Sequence, residues 1–238
     1  MSNSRERVLA NIRASLDKTR AELEAMAARA PHTPPPYVHP PQDDLAAQFA
    51  AELARLEGHP HRCADDEAAL ETICTILQAH QATTVIAWNR DQIGLPGLDS
   101  LLADLGVAVL DAQVAYMGAE RAARLQALEA APVCISGADV GIAESATLAL
   151  LGGAGRARLA SLLAPVHIAV LRSTQLVRGL GEALARIQAQ NGPDVFSRRS
   201  SLTLITGPSR TADIELTLTL GVHGPREIHV VLIDRPQT

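Results

Sequence analysis

From residue 43 onward, short runs of branched apolar residues alternate with segments of helical periodicity, and this alternation most constrains the fold. The runs TTVIAW, VAVLDA, PVHIAVLR and EIHVVLID have the length and β-branched content of buried strands. The segments between them place apolar residues three and four positions apart, as in helices that cover a sheet. We therefore predict an α/β fold with a mostly parallel sheet flanked by helices. Near the end of the chain we expect a strand at SSLTLIT and a helix near residues 211–220.

The sequence before residue 43 has a different character. Residues 1–30 predict a helical arm with an apolar stripe at helical spacing, formed by Val8, Leu9, Ile12 and Leu16. Residues 31–42 contain six prolines, which are typical of a semi-rigid linker. We predict that residues 43–238 form one α/β domain.

Charge, aromatic content and cysteines exclude several functions. The net charge is −5 and aromatic residues make up 2% of the chain, which disfavours nucleic-acid binding. Three dispersed cysteines are too few for an iron-sulfur cluster, so no cofactor is expected in this chain. The N-terminus has no signal-peptide core and no apolar run is long enough to span a membrane, so we expect a cytoplasmic protein without membrane contact.

The turn GPSRTAD contains the candidate ligand-binding residues Gly207, Ser209, Arg210, Thr211 and Asp213. It follows a predicted strand and precedes a predicted helix, whose free N–H groups and dipole attract anions. The hydroxyls and the planar guanidinium suit a phosphate or carboxylate. A helix cap, with Ser209 or Thr211 accepting backbone hydrogen bonds, explains the same residues.

Two other polar segments carry candidate chemistry. In GADVGIAES, Asp139 is a candidate ligand contact and Glu144 a candidate proton-transfer residue, although loop capping or a salt bridge also accounts for them. In GVHGP, His223 is a second candidate for proton transfer. The segment GGAGRAR places Arg156 behind three glycines, which suggests a mobile, positively charged loop.

The histidines do not predict a metal site. No HExxH motif is present, and a site built from histidines alone is not expected. His167 and His229 lie within predicted strands, which favours core histidines satisfied by hydrogen bonds.

Polar loops next to strands of a parallel sheet can meet at one sheet edge. We therefore expect GADVGIAES, GPSRT and GVHGP to form one anion-binding cleft, with Glu144 and His223 available for proton transfer. If Arg210 is structural instead, it is expected to pair with Glu144 or Asp213.

Four segments in order, DVGIAESATLAL, ARLASLLAPVHIAVL, GPSRTADIE and GVHGPREIHVVLID, resemble the lactate utilization protein C family, which is defined by a LUD domain. The resemblance covers about residues 130–238. The motif around Glu144 commonly contains a glycine where this chain has Ala146.

The resemblance implies a NagB/RpiA/CoA transferase-like fold and a cytoplasmic role in oxidising L-lactate to pyruvate. It also implies partner proteins that carry the iron-sulfur clusters. Two functions follow: an accessory subunit of a lactate-oxidising system, or a stand-alone enzyme or sensor that binds a small anionic metabolite. Family membership supports the pathway better than a catalytic mechanism.

Overall fold

The computed structural model describes residues 2–29, 43–112, 114, 118–212, 218–221 and 223–234. The chain forms two compact units, Met1–Pro34 and Pro35–Thr238. In the first unit, helix α1 covers Ser2–Arg29, where the sequence predicts a helix. The proline-rich linker predicted at 31–42 lies outside the described residues.

The second unit contains alternating helices and strands. Its helices are α2 (Leu45–Arg55), α3 (Asp66–Ala79), α4 (Arg90–Ile93), α5 (Leu98–Asp104), α6 (Ala119–Glu129), α7 (Leu180–Asn191) and α8 (Val195–Arg198). Its strands are β1 (His59–Cys63), β2 (Thr84–Ala87), β3 (Ala108–Asp111), β4 (Val133–Gly137), β5 (Val140–Ile142), β6 (Thr147–Leu151), β7 (Val166–Arg172), β8 (Leu176–Val177), β9 (Leu202–Thr206), β10 (Arg210–Ala212), β11 (Leu218–Leu220) and β12 (Glu227–Ile233).

The core is a six-stranded, fully parallel sheet in the order β1-β12-β7-β4-β2-β3. Strands β4 and β7 are buried along their whole length, because helices and loops cover both faces of a parallel sheet. A smaller sheet has the order β8-β5-β6-β9. The predicted α/β fold with a mostly parallel sheet is confirmed.

Helix α3 illustrates how the sequence produces this packing. Its N-cap, Asp65, accepts a hydrogen bond from the backbone N–H of Ala68 at 3.0 Å, which satisfies one of the free donors of the first turn. Its buried residues recur at helical spacing and turn one face toward the core, namely Ala69, Ile73, Ile76 and Leu77. The helix ends at His80, its C-cap.

The helix predicted near residues 211–220 is wrong. Strands β10 and β11 occupy both ends of this segment and pair antiparallel, with Thr211 opposite Thr219. The alternation in LTLTL has the period of a strand, and this period prevails. The turn GPSRT therefore leads into a strand and has no helix N-terminus behind it.

Strand order defines where a ligand can enter. The chain leaves β2 toward β3 on one side, and it leaves β4 toward β7 on the other side. Crevices form at such points, outside the carboxyl ends of the two diverging strands, and ligands of open α/β sheets bind there. The crevice between β2 and β4 is therefore the favoured ligand site.

None of the described helices is long and apolar enough to cross a membrane.

The cysteines are free thiols in different environments. Cys134 and Cys63 are buried, whereas Cys74 is partly exposed. Strands β1 and β4 are three positions apart in the sheet, so Cys63 and Cys134 are roughly 14 Å or more apart. This separation argues against both thiols ligating one cluster.

Thiol reactivity should follow burial. Burial raises the pKa of Cys134 to about 12 and also raises the pKa of Cys63, and the reactive species is the thiolate. In the native protein we expect Cys74 to react first with a disulfide reagent, and Cys134 only on unfolding. Cys74→Ser should remove the fast phase; rapid labelling of all three thiols in the folded protein would contradict this prediction.

Candidate functional site

A cavity of about 360 Å³ lies in the crevice between strands β2 and β4. Trp88 lines it just beyond β2, Asp139 just beyond β4, and Arg172 and Gln175 at and beyond the end of β7. Arg156, in the loop after β6, completes the polar wall. All these residues lie at the carboxyl edge of the large sheet, as strand order predicts.

Asp139 and Arg156 form a partly buried ion pair at this edge. Arg156 Nη1 donates to Asp139 Oδ1 at 2.6 Å, and only 13% of the Asp139 side chain and 19% of the Arg156 side chain are exposed. The second oxygen, Asp139 Oδ2, accepts from the backbone N–H of Leu151 at 2.7 Å. Both carboxylate oxygens are thus held, which fixes Arg156 at the cavity wall.

Further contacts orient the Arg156 guanidinium. Its Nε donates to Gln92 Oε1 at 2.8 Å, and its central carbon lies 5.2 Å from the centre of the Trp88 ring. That distance is within the range of a cation–π contact. The loop around Arg156 is thus hydrogen-bonded to Gln92 in helix α4 and to Asp139 beyond strand β4.

Gly155 allows the loop that carries Arg156 to lie close to Asn89. Its φ is +72°, and a Cβ there would lie 2.7 Å from the amide nitrogen of Asn89. The Gly155 carbonyl also accepts from the backbone N–H of Asn89 at 2.8 Å. A side chain at this position would strain the backbone and push the loop away.

Arg172 closes the other side of the cavity. It is 7% exposed, and its Nη1 lies 2.9 Å from Asp66 Oδ1 while Nη2 donates to the carbonyl of Gly94 at 2.7 Å. Its backbone N–H donates to Gln175 Oε1 at 2.7 Å, and Gln175 Nε2 donates to the carbonyl of Ala138 at 2.6 Å. Gln175 therefore links the ends of β7 and β4.

The predicted GPSRT site lies elsewhere. Gly207, Ser209, Arg210 and His223 line a second cavity of about 280 Å³, near residues that lead into β7 and β12. A loop that enters a parallel strand lies at the amino edge, whereas Asp139 leaves a strand at the carboxyl edge. Asp139 is therefore not at the edge where GPSRT and GVHGP meet, and the expectation of one cleft formed by all three polar loops is wrong. Only the Ser145 end of GADVGIAES approaches GPSRT, through the hydroxyls of Ser145, Thr147 and Thr206.

The GPSRT turn is also bonded within the protein. Arg210 contacts the carbonyl of Leu56 and lies 3.0 Å from Glu57 Oε2, so among the described residues its carboxylate partner is Glu57 and not the expected Glu144. The backbone N–H of Ser209 donates to the carbonyl of Pro225 at 2.8 Å. The Thr211 side chain and all of Asp213 lie outside the described part of the chain.

The two candidates for proton transfer are not brought together at one cavity. Glu144 lies in a short 3₁₀ turn, Ala143–Ser145, and is not among the residues that line either cavity. The exposed His223 lines the second cavity. Ala146, two residues after Glu144, has a φ of +47°. This left-handed conformation suits the glycine that is common at this position, and it costs an alanine about 1–2 kcal/mol.

The two strand histidines are buried. His167 Nε2 lies 2.8 Å from Ser136 Oγ, and burial lowers the pKa of His167 to about 3. His229 Nδ1 lies 3.0 Å from His61 Nε2, and burial lowers the pKa of His229 to about 4. Both rings are neutral at pH 7, and each makes the hydrogen bond expected of a core histidine at one of its nitrogens.

Sequence reasoning missed the arginines of the main cavity. The sequence indicates Arg156 only as a charge in a glycine-rich loop, and Arg172 ends an otherwise apolar strand, VHIAVLR. A charged residue that closes a buried parallel strand lies at the carboxyl edge of the sheet, which was the available signal.

Comparisons with known proteins agree with this fold. The LUD domain family profile matches residues 46–233. Lactate utilization protein C of Macrococcus caseolyticus is 34% identical over 166 residues, covering 69% of this chain and 67% of that protein. Its namesake from Halalkalibacterium halodurans is 34% identical over 168 residues, covering 69% of each chain. Another from a Geobacillus species is 30% identical over 205 residues, covering 82% and 80%.

A solved structure is also similar. The crystal structure of a DUF162 family protein from Deinococcus radiodurans has a TM-score of 0.57 at 23% identity, covering 82% of this chain and 99% of that one. The fold is thus that of an α/β protein similar to this solved structure. Its cavity of about 360 Å³ lies at the switch point of the sheet, between β2 and β4, and is called the switch-point cavity below. The chain belongs to the LUD domain family, which confirms the resemblance seen in its motifs.

Breaking the Asp139–Arg156 pair should destabilise the protein. Asp139→Ala leaves Arg156 without its carboxylate and the Leu151 N–H without its acceptor, so we expect a loss of about 2–4 kcal/mol in the free energy of unfolding. Urea denaturation measures this loss. The matched control is Asp194→Ala, which breaks the exposed pair with Arg198 and should cost less than about 1 kcal/mol. Equal effects of the two substitutions would contradict a structural role for the buried pair.

Proposed function

We propose that this chain functions in lactate utilization, in the cytoplasm, and that its switch-point cavity binds a small anionic metabolite of the lactate and pyruvate class. The relatives named Lactate utilization protein C support the pathway. The observation that carries the ligand proposal is the cavity itself, in which Arg156 is held at the wall by Asp139, Gln92 and Trp88.

The donors of this cavity suit a carboxylate. Gln92 and Asp139 use the Nε and one N–H of Nη1 of Arg156, while Nη2 has no hydrogen-bond partner among the described residues. Guanidinium N–H groups bind carboxylates strongly and with fixed geometry. Thr174 and Gln190 add neutral hydrogen-bonding groups to the lining, which suits a hydroxyl or keto oxygen. The volume of about 360 Å³ is near the lower end of known ligand sites.

The same cavity favours binding over chemistry. Asp139 is the one carboxylate among its lining residues, and both of its oxygens already accept hydrogen bonds. A general base must lie within hydrogen-bond reach of the proton that it takes, whereas the Asp139 carboxylate is held in contacts with Arg156 and the Leu151 N–H. We therefore favour an accessory subunit that holds or presents the metabolite, while iron-sulfur partner proteins carry the electrons.

Replacing the guanidinium should weaken ligand binding while keeping the charge. In calorimetric titrations with L-lactate and pyruvate, we expect Arg156→Lys to raise Kd by about 10- to 100-fold, because a bidentate donor is lost. The neutral analogue lactamide should bind weakly to both proteins. Arg198→Lys, on the exposed surface, is the control that should leave Kd unchanged.

Two outcomes would overturn the ligand proposal. One is binding of L-lactate or pyruvate that is unchanged in a folded Arg156→Lys variant. The other is absence of binding by the wild-type chain; binding of phosphorylated metabolites alone would then favour a sensor or enzyme of a different substrate.

The accessory role predicts dependence of the pathway on this chain. Purification from the native cell should recover it with iron-sulfur proteins, and deleting its gene should abolish growth on L-lactate. Complementation with the wild-type chain should restore growth, and the Arg156→Lys variant should restore it less well. Full lactate oxidation by extracts that lack the chain would refute the role.

A further inference from the structure

A cluster of histidines with one glutamate lies on a single face of the large sheet, at the amino edge. His59 is the first residue of β1, and His229 lies opposite it in the β1–β12 register. Glu227 precedes His229 by two positions on β12, and His61 follows His59 by two positions on β1. Because side chains alternate along a strand, all four residues face the same side.

From this arrangement we propose that His59, Glu227 and His229 bind a divalent transition-metal ion of the Zn²⁺ type. Each residue offers one ligand atom, and the three atoms lie within 4.8 Å of one another. Two imidazoles and one carboxylate are a known ligand set for Zn²⁺, with the fourth position left to water or another ligand.

The distance between two of the three ligand atoms already matches a zinc site. His229 Nε2 lies 3.6 Å from Glu227 Oε2, and ligand atoms of a tetrahedral zinc site lie about 3.4 Å apart when each is about 2.1 Å from the metal. His59 is exposed, and its ring stacks on that of His229 with the ring centroids 4.5 Å apart, so binding an ion requires the His59 ring to turn out of this stack.

The buried nitrogen of His229 is the strongest sign of a ligand. His229 is 8% exposed, and its Nε2 is buried without a hydrogen-bond partner among the described residues. A buried polar atom left in that state costs about 1–3 kcal/mol. A carboxylate oxygen, Glu227 Oε2, lies 3.6 Å away, and a cation between the two would satisfy the His229 nitrogen.

His61 provides the support that metal-binding histidines usually have. When His229 Nδ1 carries the proton, it donates to His61 Nε2 at 3.0 Å and leaves Nε2 with its lone pair toward Glu227. Ligating histidines commonly donate their other N–H to such an acceptor, which fixes the tautomer and the ring orientation.

His80 supplies a candidate fourth ligand. It is the C-cap of helix α3, and its Nε2 lies 3.3 Å from Glu227 Oε2, again close to a tetrahedral edge. The carbonyl end of a helix also favours a cation. A bound ion would thus fasten edge strand β1 to β12 and to α3.

Metal binding can be tested on the full chain prepared without a histidine tag. After removal of metal with a chelator, we expect calorimetry and elemental analysis to show about one Zn²⁺ per chain, and Zn²⁺ to raise Tm. His59→Ala and Glu227→Gln should each weaken Zn²⁺ binding at least roughly tenfold. Both substitutions lie outside the buried core, so the variants should fold, and circular dichroism verifies this.

His223→Gln is the matched control, because His223 is an exposed histidine outside the cluster. It should leave Zn²⁺ affinity and stoichiometry unchanged. The proposal is overturned if the wild-type chain binds no Zn²⁺. It is equally overturned if Zn²⁺ binds the folded His59→Ala and Glu227→Gln variants as tightly as the wild type.

Discussion

The ion pair between Asp139 and Arg156 joins the two sheets of the protein, and the shape of the cavity depends on it. Asp139 follows β4 of the large sheet, and its backbone N–H donates to the carbonyl of Ala149 in the small sheet at 2.9 Å. Its side chain holds Arg156 and the N–H of Leu151. The residue just before the first strand of the small sheet therefore also positions the charged group of the candidate ligand site. A buried charge is tolerated only when paired and hydrogen-bonded, so the cavity wall and the junction of the sheets are stabilised together.

The sequence predicts the core better than the connections, for a physical reason. PVHIAVLR and EIHVVLID are predicted as strands from their local composition alone, because strands buried on both faces of a parallel sheet are nearly continuous apolar runs. The segment from Thr211 to Leu220 carried two signals, a polar turn that favours a helix start and an LTLTL alternation that favours a strand. Pairing of β10 with β11 gives each strand a backbone partner on one side, and this tertiary contact decides between two weak local preferences.

The candidate sites depend on pairings that a single sequence does not contain. The predicted site residues are near strands, but whether a loop enters or leaves its strand decides which edge it occupies. That distinction separates Asp139 from Ser209 and His223. Arg210 meets Glu57 across 153 positions, and nothing in the local sequence indicates this partner. His59 and His61 share one face of β1, a strand that the sequence does not predict, and Glu227 and His229 share one face of β12. Only the parallel pairing of β1 with β12 makes them one cluster.

The large sheet separates the two proposed sites by the length of a strand. The cavity lies beyond the carboxyl ends of β2, β4 and β7, whereas Glu227 is the first residue of β12 and pairs with Val166 at the start of β7. Strand β7 runs from Val166 to Arg172, so the sites are roughly 20 Å apart. An ion at the histidine cluster therefore cannot coordinate a carboxylate held by Arg156 or polarise its carbonyl. Its effect would be on the docking of β1 at the sheet edge, and the chemistry of a bound metabolite would be left to groups at the opposite edge or to partner proteins.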